Sequence, residues 1–156
     1  MALAHHADIA VFMKGAEVKM SKKPSLKKLR RQCWELCREI VFSRAWGKCE
    51  LCGQKGEQVD HCFGRKNAIL LFSLSNLTLL CKLCHFKKTY TIRGYEKLVD
   101  DRVKHREGLA WWASAFNEIQ KSKKWDRETL ENKIEELADF LCRVGRFQSE
   151  LDKENK

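Results

Sequence analysis

Proline is nearly absent from this chain: Pro24 is the only one in 156 residues. No run of 18 apolar residues exists either, which excludes a membrane-spanning helix of ordinary length. The opening stretch, MALAHHADIAVFMKGAEVKM, carries Asp8 and two histidines and lacks a continuous apolar segment. It does not read as a signal peptide. No internal repeat and no low-complexity segment interrupts the sequence. Acid is scarce in the first two thirds. Residues 1–48 carry 11 Lys/Arg against 4 Asp/Glu, and residues 49–92 carry 6 against 3. Residues 93–156 are balanced at 14 and 14, so the whole excess of +10 lies before residue 93. A polyanion would be drawn to that part, although solvated surface lysines are the plainer explanation.

What the chain does have is cysteine. Eight thiols could form disulfides, but four of them fall into two C-x-x-C pairs, Cys49–Cys52 and Cys81–Cys84. Without a secretion signal, that pattern favours metal thiolates in a reducing cytoplasm. Two such pairs 28 residues apart supply the four thiolates of one tetrahedral structural zinc. The metal would stand in for a core too small to hold the intervening loop. Cys62 and Cys142 read as ordinary thiols.

At this length the chain is one domain, or a compact domain with an extension. Residues 1–23 have weak periodicity and are expected to be poorly ordered. Pro24 sits just inside a helix start with Ser21 or Ser25 as cap. Leu26, Leu29, Cys33, Leu36, Cys37, Ile40 and Val41 then recur at helical steps over about 24–45. Cys33 and Cys37, four apart, could bind metal, but small buried thiols are the better reading. The opposite face holds Lys27, Lys28, Arg30, Arg31 and Arg38. After Gly47 the sequence suggests a zinc knuckle, a turn, and a strand at Gln58–Cys62. Residues 65–77 lack a period and read as a loop anchored by Phe72 and Leu74. A short helix suits 82–92.

The remainder, 93–148, reads as a helical extension. Tyr95, Leu98 and Val99 mark one helix. Leu109, Trp112, Ala113 and Phe116 mark a second, ending near Ser122. Asp126 caps a third, with a stripe of Leu130, Ile134, Leu137, Ala138 and Leu141. Gly145 is its expected end, leaving 149–156 as a frayed tail.

Between and beside the cysteine pairs lie Asp60-His61, Asn76 and His85, a set that points to a second, catalytic metal. Neighbours on a strand point to opposite sides, so Asp60 can bind an ion while His61 faces a water. Each has a plainer reading: surface polarity for the Asp-His pair, a turn for Asn76, a spare zinc ligand for His85. Their joint spacing resembles the HNH, or ββα-metal, nucleases. That resemblance implies an α+β fold in which a two-stranded hairpin and a helix clamp a divalent ion. A treble-clef-like four-cysteine zinc site braces that core, and helices flank it on both sides. It gives His61 the role of general base. Asp60 and His85 become ligands of a catalytic Mg²⁺ or Mn²⁺, and Asn76 holds the loop and the His61 ring. It also implies 5′-phosphate and 3′-hydroxyl products. Neutral imidazole suits a base at physiological pH, and the ion a Lewis acid.

The run His61-Cys-Phe-Gly-Arg65, with Phe72, Asn76 and the second thiol pair, is more narrowly similar to the phage NinG (Rap) recombination endonucleases. So is the basic helix leading into GKCELCG. Many relatives carry Asn where this chain has His85, and their loop is more polar than Leu70-Leu71-Phe72-Ser73. The resemblance implies DNA as partner, as branched recombination intermediates, with phage recombination or packaging proteins alongside. Nicking of duplex DNA is the alternative within the same motif. Arg65 would grip the scissile phosphate, since its fork contacts two oxygens. Lys66, Lys87 and Lys88 would flank the groove, and the basic face of the first helix would hold the duplex further out. Trp111, Trp112 and Trp125 could stack on unpaired bases, with core packing the simpler reading. Cutting both strands of a junction in step would suit a homodimer. The rival class is a zinc module that binds nucleic acid or protein without cutting it. A redox thiol protein would need exposed low-pKa thiols instead.

Overall fold

A computed structural model describes residues 23–64, 68–90, 92, 94–119, 121 and 123–154, with side chains through residue 143. The expectation of a poorly ordered start therefore falls almost entirely outside the described residues, as do Arg65, expected to grip the scissile phosphate, and Lys66, expected to flank the groove. The first helix, α1, is Leu26–Arg44, begun by the Ser25 hydroxyl, which accepts from the Lys28 amide at 3.3 Å. Leu29, Cys33, Cys37, Ile40 and Val41 form its buried stripe. Cys33 and Cys37 are fully buried, as small apolar side chains would be. Burial pushes the Cys33 thiol up to about 11 and the Cys37 thiol to about 12.

Two short strands follow, β1 Gln58–His61 and β2 Leu77–Leu80, paired antiparallel with Asp60 opposite Thr78 and His61 opposite Leu77. A single 3₁₀ turn, Leu74–Asn76, leads into β2. The 65–77 loop expected from the sequence thus ends earlier, and its last residue already belongs to a strand. All four residues of β2 are buried, which explains the missing alternation. Leu77 and Leu79 pack into a core with α1, Phe72, Trp125 and the last helix, while Leu80 packs against the cysteine cluster. A strand buried on both faces shows no period of two.

The helix α2, Lys82–Thr89, packs on both strands. Next come α3, Tyr95–Glu107, and α4, Leu109–Glu118, separated by Gly108. Val99 and Val103, not Leu98, are the buried face of α3. The stripe expected on α4 is corrected: Leu109 and Phe116 are 74% and 55% exposed, and Ala115 is its buried residue. The last helix, α5, is Arg127–Glu154. Asp126 caps it as expected, its carboxylate accepting from the Thr129 amide at 2.9 Å. Leu130 and Leu137 are fully buried against α1. Gly145 does not end α5, which runs on through most of the segment read as a frayed tail. A glycine within a helix costs only about 1 kcal/mol relative to alanine, and a helix this long absorbs that.

The architecture is therefore mixed: five helices among the described residues and one two-stranded sheet, with α1 and α5 covering one face. No helix among the described residues is long and apolar enough to cross a membrane.

Candidate functional site

The four paired cysteines converge. The sulfurs of Cys49, Cys52, Cys81 and Cys84 all lie within 4.8 Å of one another. Zinc–thiolate bonds of about 2.3 Å in a tetrahedron put sulfurs roughly 3.8 Å apart, and the Cys52 and Cys81 sulfurs are 3.6 Å apart. Local geometry builds each half. The first pair sits in a knuckle where Gly53, with φ 74°, donates to the Cys49 carbonyl at 2.9 Å. Gly56 lets the knuckle approach β2: a Cβ there would meet the Leu79 side chain at 2.5 Å. The second pair opens α2. Cys81 is the N-cap, its sulfur accepting from the Cys84 amide at 3.4 Å, where the helix terminus favours negative charge.

The thiols polarise one another. Burial works against ionising Cys49, but N–H groups of Cys52, Cys81 and Leu51 outweigh it and bring that thiol down to about 7. Burial and the neighbouring sulfurs push Cys84 the other way. Four thiols this close cannot all ionise without a cation among them, so the donor set fits a zinc ion.

Long-range charge holds the knuckle in place. The Glu50 carboxylate, 7% exposed, accepts from Arg44 at 3.2 Å, Arg106 at 2.5 Å and the Leu79 amide at 3.0 Å. Arg44 also donates to the Leu74 and Leu77 carbonyls, and Arg106 to those of Ser75 and Leu77. Nothing in the local pattern marked these three residues. They lie on α1, the knuckle and α3, and only the fold unites them.

On the far face of β1, Asp60 meets α2. Its Oδ1 is 3.6 Å from His85 Nε2, and its Oδ2 accepts from the Lys88 ammonium. Lys88 also donates to the His61 carbonyl at 2.7 Å. Lys87 instead reaches the Tyr95 hydroxyl at 3.2 Å. Of the three lysines expected to flank a groove, the two described ones, Lys87 and Lys88, are thus engaged within the fold.

His61 lies on the opposite side of β1 from Asp60, as strand alternation requires. It is only 3% exposed. Its ring stacks on Trp34, centroids 5.2 Å apart, and Nε2 lies 2.9 Å from the Leu71 carbonyl. Trp34 escaped the sequence reading, although its place beside the apolar stripe of α1 was the available signal. Asn76 is fully buried and ties the loop at both ends. Its Oδ1 accepts from the Phe63 amide at 2.9 Å and its Nδ2 donates to the Leu70 carbonyl at 3.1 Å. Leu71, next along, is the residue that meets His61.

The tryptophans considered for base stacking are packed. Trp125 is 6% exposed, donates to the Ala68 carbonyl at 2.6 Å and meets Phe72 edge-on. Trp111 and Trp112 lie against Phe63, and Lys104 covers the Trp112 ring. Cys62 donates to Asp100 at 3.1 Å, outside the four-cysteine cluster.

The chain matches no protein-family model, no curated protein and no solved structure. Fold and site together define a mixed helix-and-sheet protein with a four-cysteine cluster that could hold a zinc ion.

Proposed function

We propose that the chain is a metal-dependent DNA endonuclease of the ββα-metal (HNH) kind, acting on branched recombination intermediates as the NinG-like proteins do. One observation carries this reading. Two antiparallel strands and the following helix bring Asp60 and His85, distant in sequence, to 3.6 Å. The next residue of β1 is His61, whose ring the fold positions on the opposite side of the strand. The Asp60 oxygen and the His85 nitrogen are hard and borderline donors at about the spacing two ligands of one Mg²⁺ or Mn²⁺ take. When bound, such an ion supplies Lewis-acid stabilisation of phosphate charge.

The chain's own residues do the rest. The Leu71 carbonyl can only accept, so His61 Nε2 carries a proton there. Nδ1 is the nitrogen left to act as base, and because it is buried, water must be admitted to the ring first. Stacking on Trp34 holds the imidazole plane. Asn76 fixes the loop that presents Leu71. A water activated by His61 would attack the phosphodiester, and the basic N-terminal two thirds would hold the DNA by phosphate contacts. The zinc cluster keeps β1, β2 and α2 in register.

A second reading is a zinc-braced module that binds nucleic acid without cutting it. It is favoured by the Lys88 ammonium on Asp60, which already satisfies that carboxylate, and by the burial of His61. Cleavage separates the two. Zinc-loaded protein is incubated with labelled Holliday junction, D-loop, duplex and single strand, with Mg²⁺ or Mn²⁺. The nuclease reading expects cleavage that His61→Ala abolishes while zinc content and DNA affinity persist. Binding without cleavage on every substrate refutes it in favour of the module.

A further inference from the structure

Among the described residues Trp46 is the most exposed tryptophan. It is 67% exposed. Its backbone has φ 53°, the sole positive value at a non-glycine among the described residues. Bulky side chains rarely adopt the left-handed region, and asparagine or glycine would sit there at lower cost. The other four tryptophans each pack against a ring: Trp34 on His61, Trp111 and Trp112 on Phe63, Trp125 on Phe72.

The turn that presents Trp46 is built firmly. The Trp46 amide donates to the Ser43 carbonyl at 3.0 Å, Gly47 to Phe42 at 2.9 Å, and Lys48 to Ala45 at 2.9 Å. Gly56 donates to the Gly47 carbonyl at 2.7 Å, which ties the turn to the cysteine knuckle. The indole is therefore held out on a rigid mount.

It borders a concavity of about 550 Å³ whose charged lining residues are Arg44, Lys48, Glu50, Arg102 and Arg106. Four cations face one carboxylate. Arg44 and Arg106 are committed to Glu50, while Lys48 and Arg102 are exposed. An exposed aromatic plane beside two free-ended cations is the arrangement that takes a base on its face and phosphates at its edge.

We propose that Trp46 is a stacking platform for an unpaired nucleobase, with Lys48 and Arg102 contacting the phosphates that flank it. This rests on the reading of DNA as ligand and narrows it. The preferred substrate carries unpaired bases, because a base stacked within a duplex offers no free face. Docking of a protein partner on the exposed indole is the competing explanation.

The test is anisotropy binding of zinc-loaded, full-length protein without added divalent ion. The two probes are a blunt duplex and the same duplex carrying a single-stranded flap. Trp46→Asn keeps the turn, since asparagine tolerates the left-handed region, and Trp46→Phe keeps a smaller ring. Flap affinity is expected to fall on the order of tenfold in the Asn variant and less in the Phe variant, with duplex affinity unchanged. Arg102→Ala should weaken both probes and lower the salt slope by about one. Equal affinities of wild type and Trp46→Asn for the flap would overturn the proposal, as would equal losses on both probes. Failure of wild type to bind either probe would instead sink the DNA reading, and this site with it.

Discussion

Replacing Glu50 by alanine should be among the most damaging single changes that leave every cysteine in place. The carboxylate is 7% exposed, and its partners Arg44 and Arg106 have side chains 29% and 16% exposed. Burial already holds the Arg44 guanidinium below its ordinary range, and the Arg106 charge adds to that. Without Glu50 the two guanidinium groups face each other with Glu107 as the remaining carboxylate, bonded to Arg106 at 2.5 Å. The Leu79 amide also loses its acceptor. Breaking a buried ion pair from one side costs about 3–5 kcal/mol. The carbonyls that Arg44 and Arg106 still reach argue for the lower half of that range. Lowered by about 3–4 kcal/mol, the melting temperature falls on the order of 10 °C for a domain of this size.

Urea unfolding of zinc-loaded protein, followed by circular dichroism, measures this cost. Glu50→Gln keeps an acceptor oxygen and should cost about 1–3 kcal/mol. Adding Arg106→Met to Glu50→Ala removes one stranded charge and should recover part of the loss. A Glu50→Ala cost below about 1 kcal/mol would refute the reasoning. So would strict additivity of the double variant, since the residues would then not be coupled.

Zinc content should be one per chain, and chelation should expose four thiols to alkylation while Cys33 and Cys37 stay unreactive, which mass spectrometry of labelled peptides would read directly. Asn76→Ala should cost about 2–4 kcal/mol in urea unfolding, because a buried amide and a buried carbonyl lose their partners together. Lys88→Met should strengthen Mn²⁺ binding on the order of tenfold by calorimetry, the equivalent of ~1.4 kcal/mol, if the ammonium and the ion compete for Asp60; unchanged affinity would mean they do not. Glu107 gives a pH signature. Burial alone would raise its carboxyl, but the Ser75 hydroxyl and Arg106 outweigh that and hold it below its ordinary value of 4.5. Its contribution is fully present above the unfolded value and disappears as pH falls through the depressed folded one. The urea midpoint of wild type should therefore drop more steeply in that acid window than that of Glu107→Gln.

What the sequence revealed depended on the range of the interaction. The stripe of α1, the Asp126 cap and the Leu130–Leu141 stripe are local periodicities, and they emerged. So did the thiol cluster, because zinc chemistry imposes the C-x-x-C spacing. Strand β2 did not, since burial on both faces erases alternation. The face of α4 was misjudged because an apolar stripe records composition rather than contact. Glu50, Arg44 and Arg106 meet through tertiary structure alone. The sequence suggests Lys88 as a flank of the DNA groove, and its pairing with Asp60 is visible only once α2 lies against β1.

The packing of α1 against α5 also sets an order of events during synthesis. Their contacts join distant points: the Cys33 thiol lies 3.6 Å from the Leu130 carbonyl, and Arg127 donates to the Pro24 carbonyl at 2.8 Å. The four clustered thiols, by contrast, fall within residues 49–84. As the chain leaves the ribosome, those thiols and both strands are available before α5 has been made. Metal capture by those thiols could therefore come first, while the side of α1 that faces α5 waits uncovered. A nascent chain halted before Arg127 could hold metal and would still display the α5-facing side of α1, which makes it a client for chaperones until the last helix closes over it.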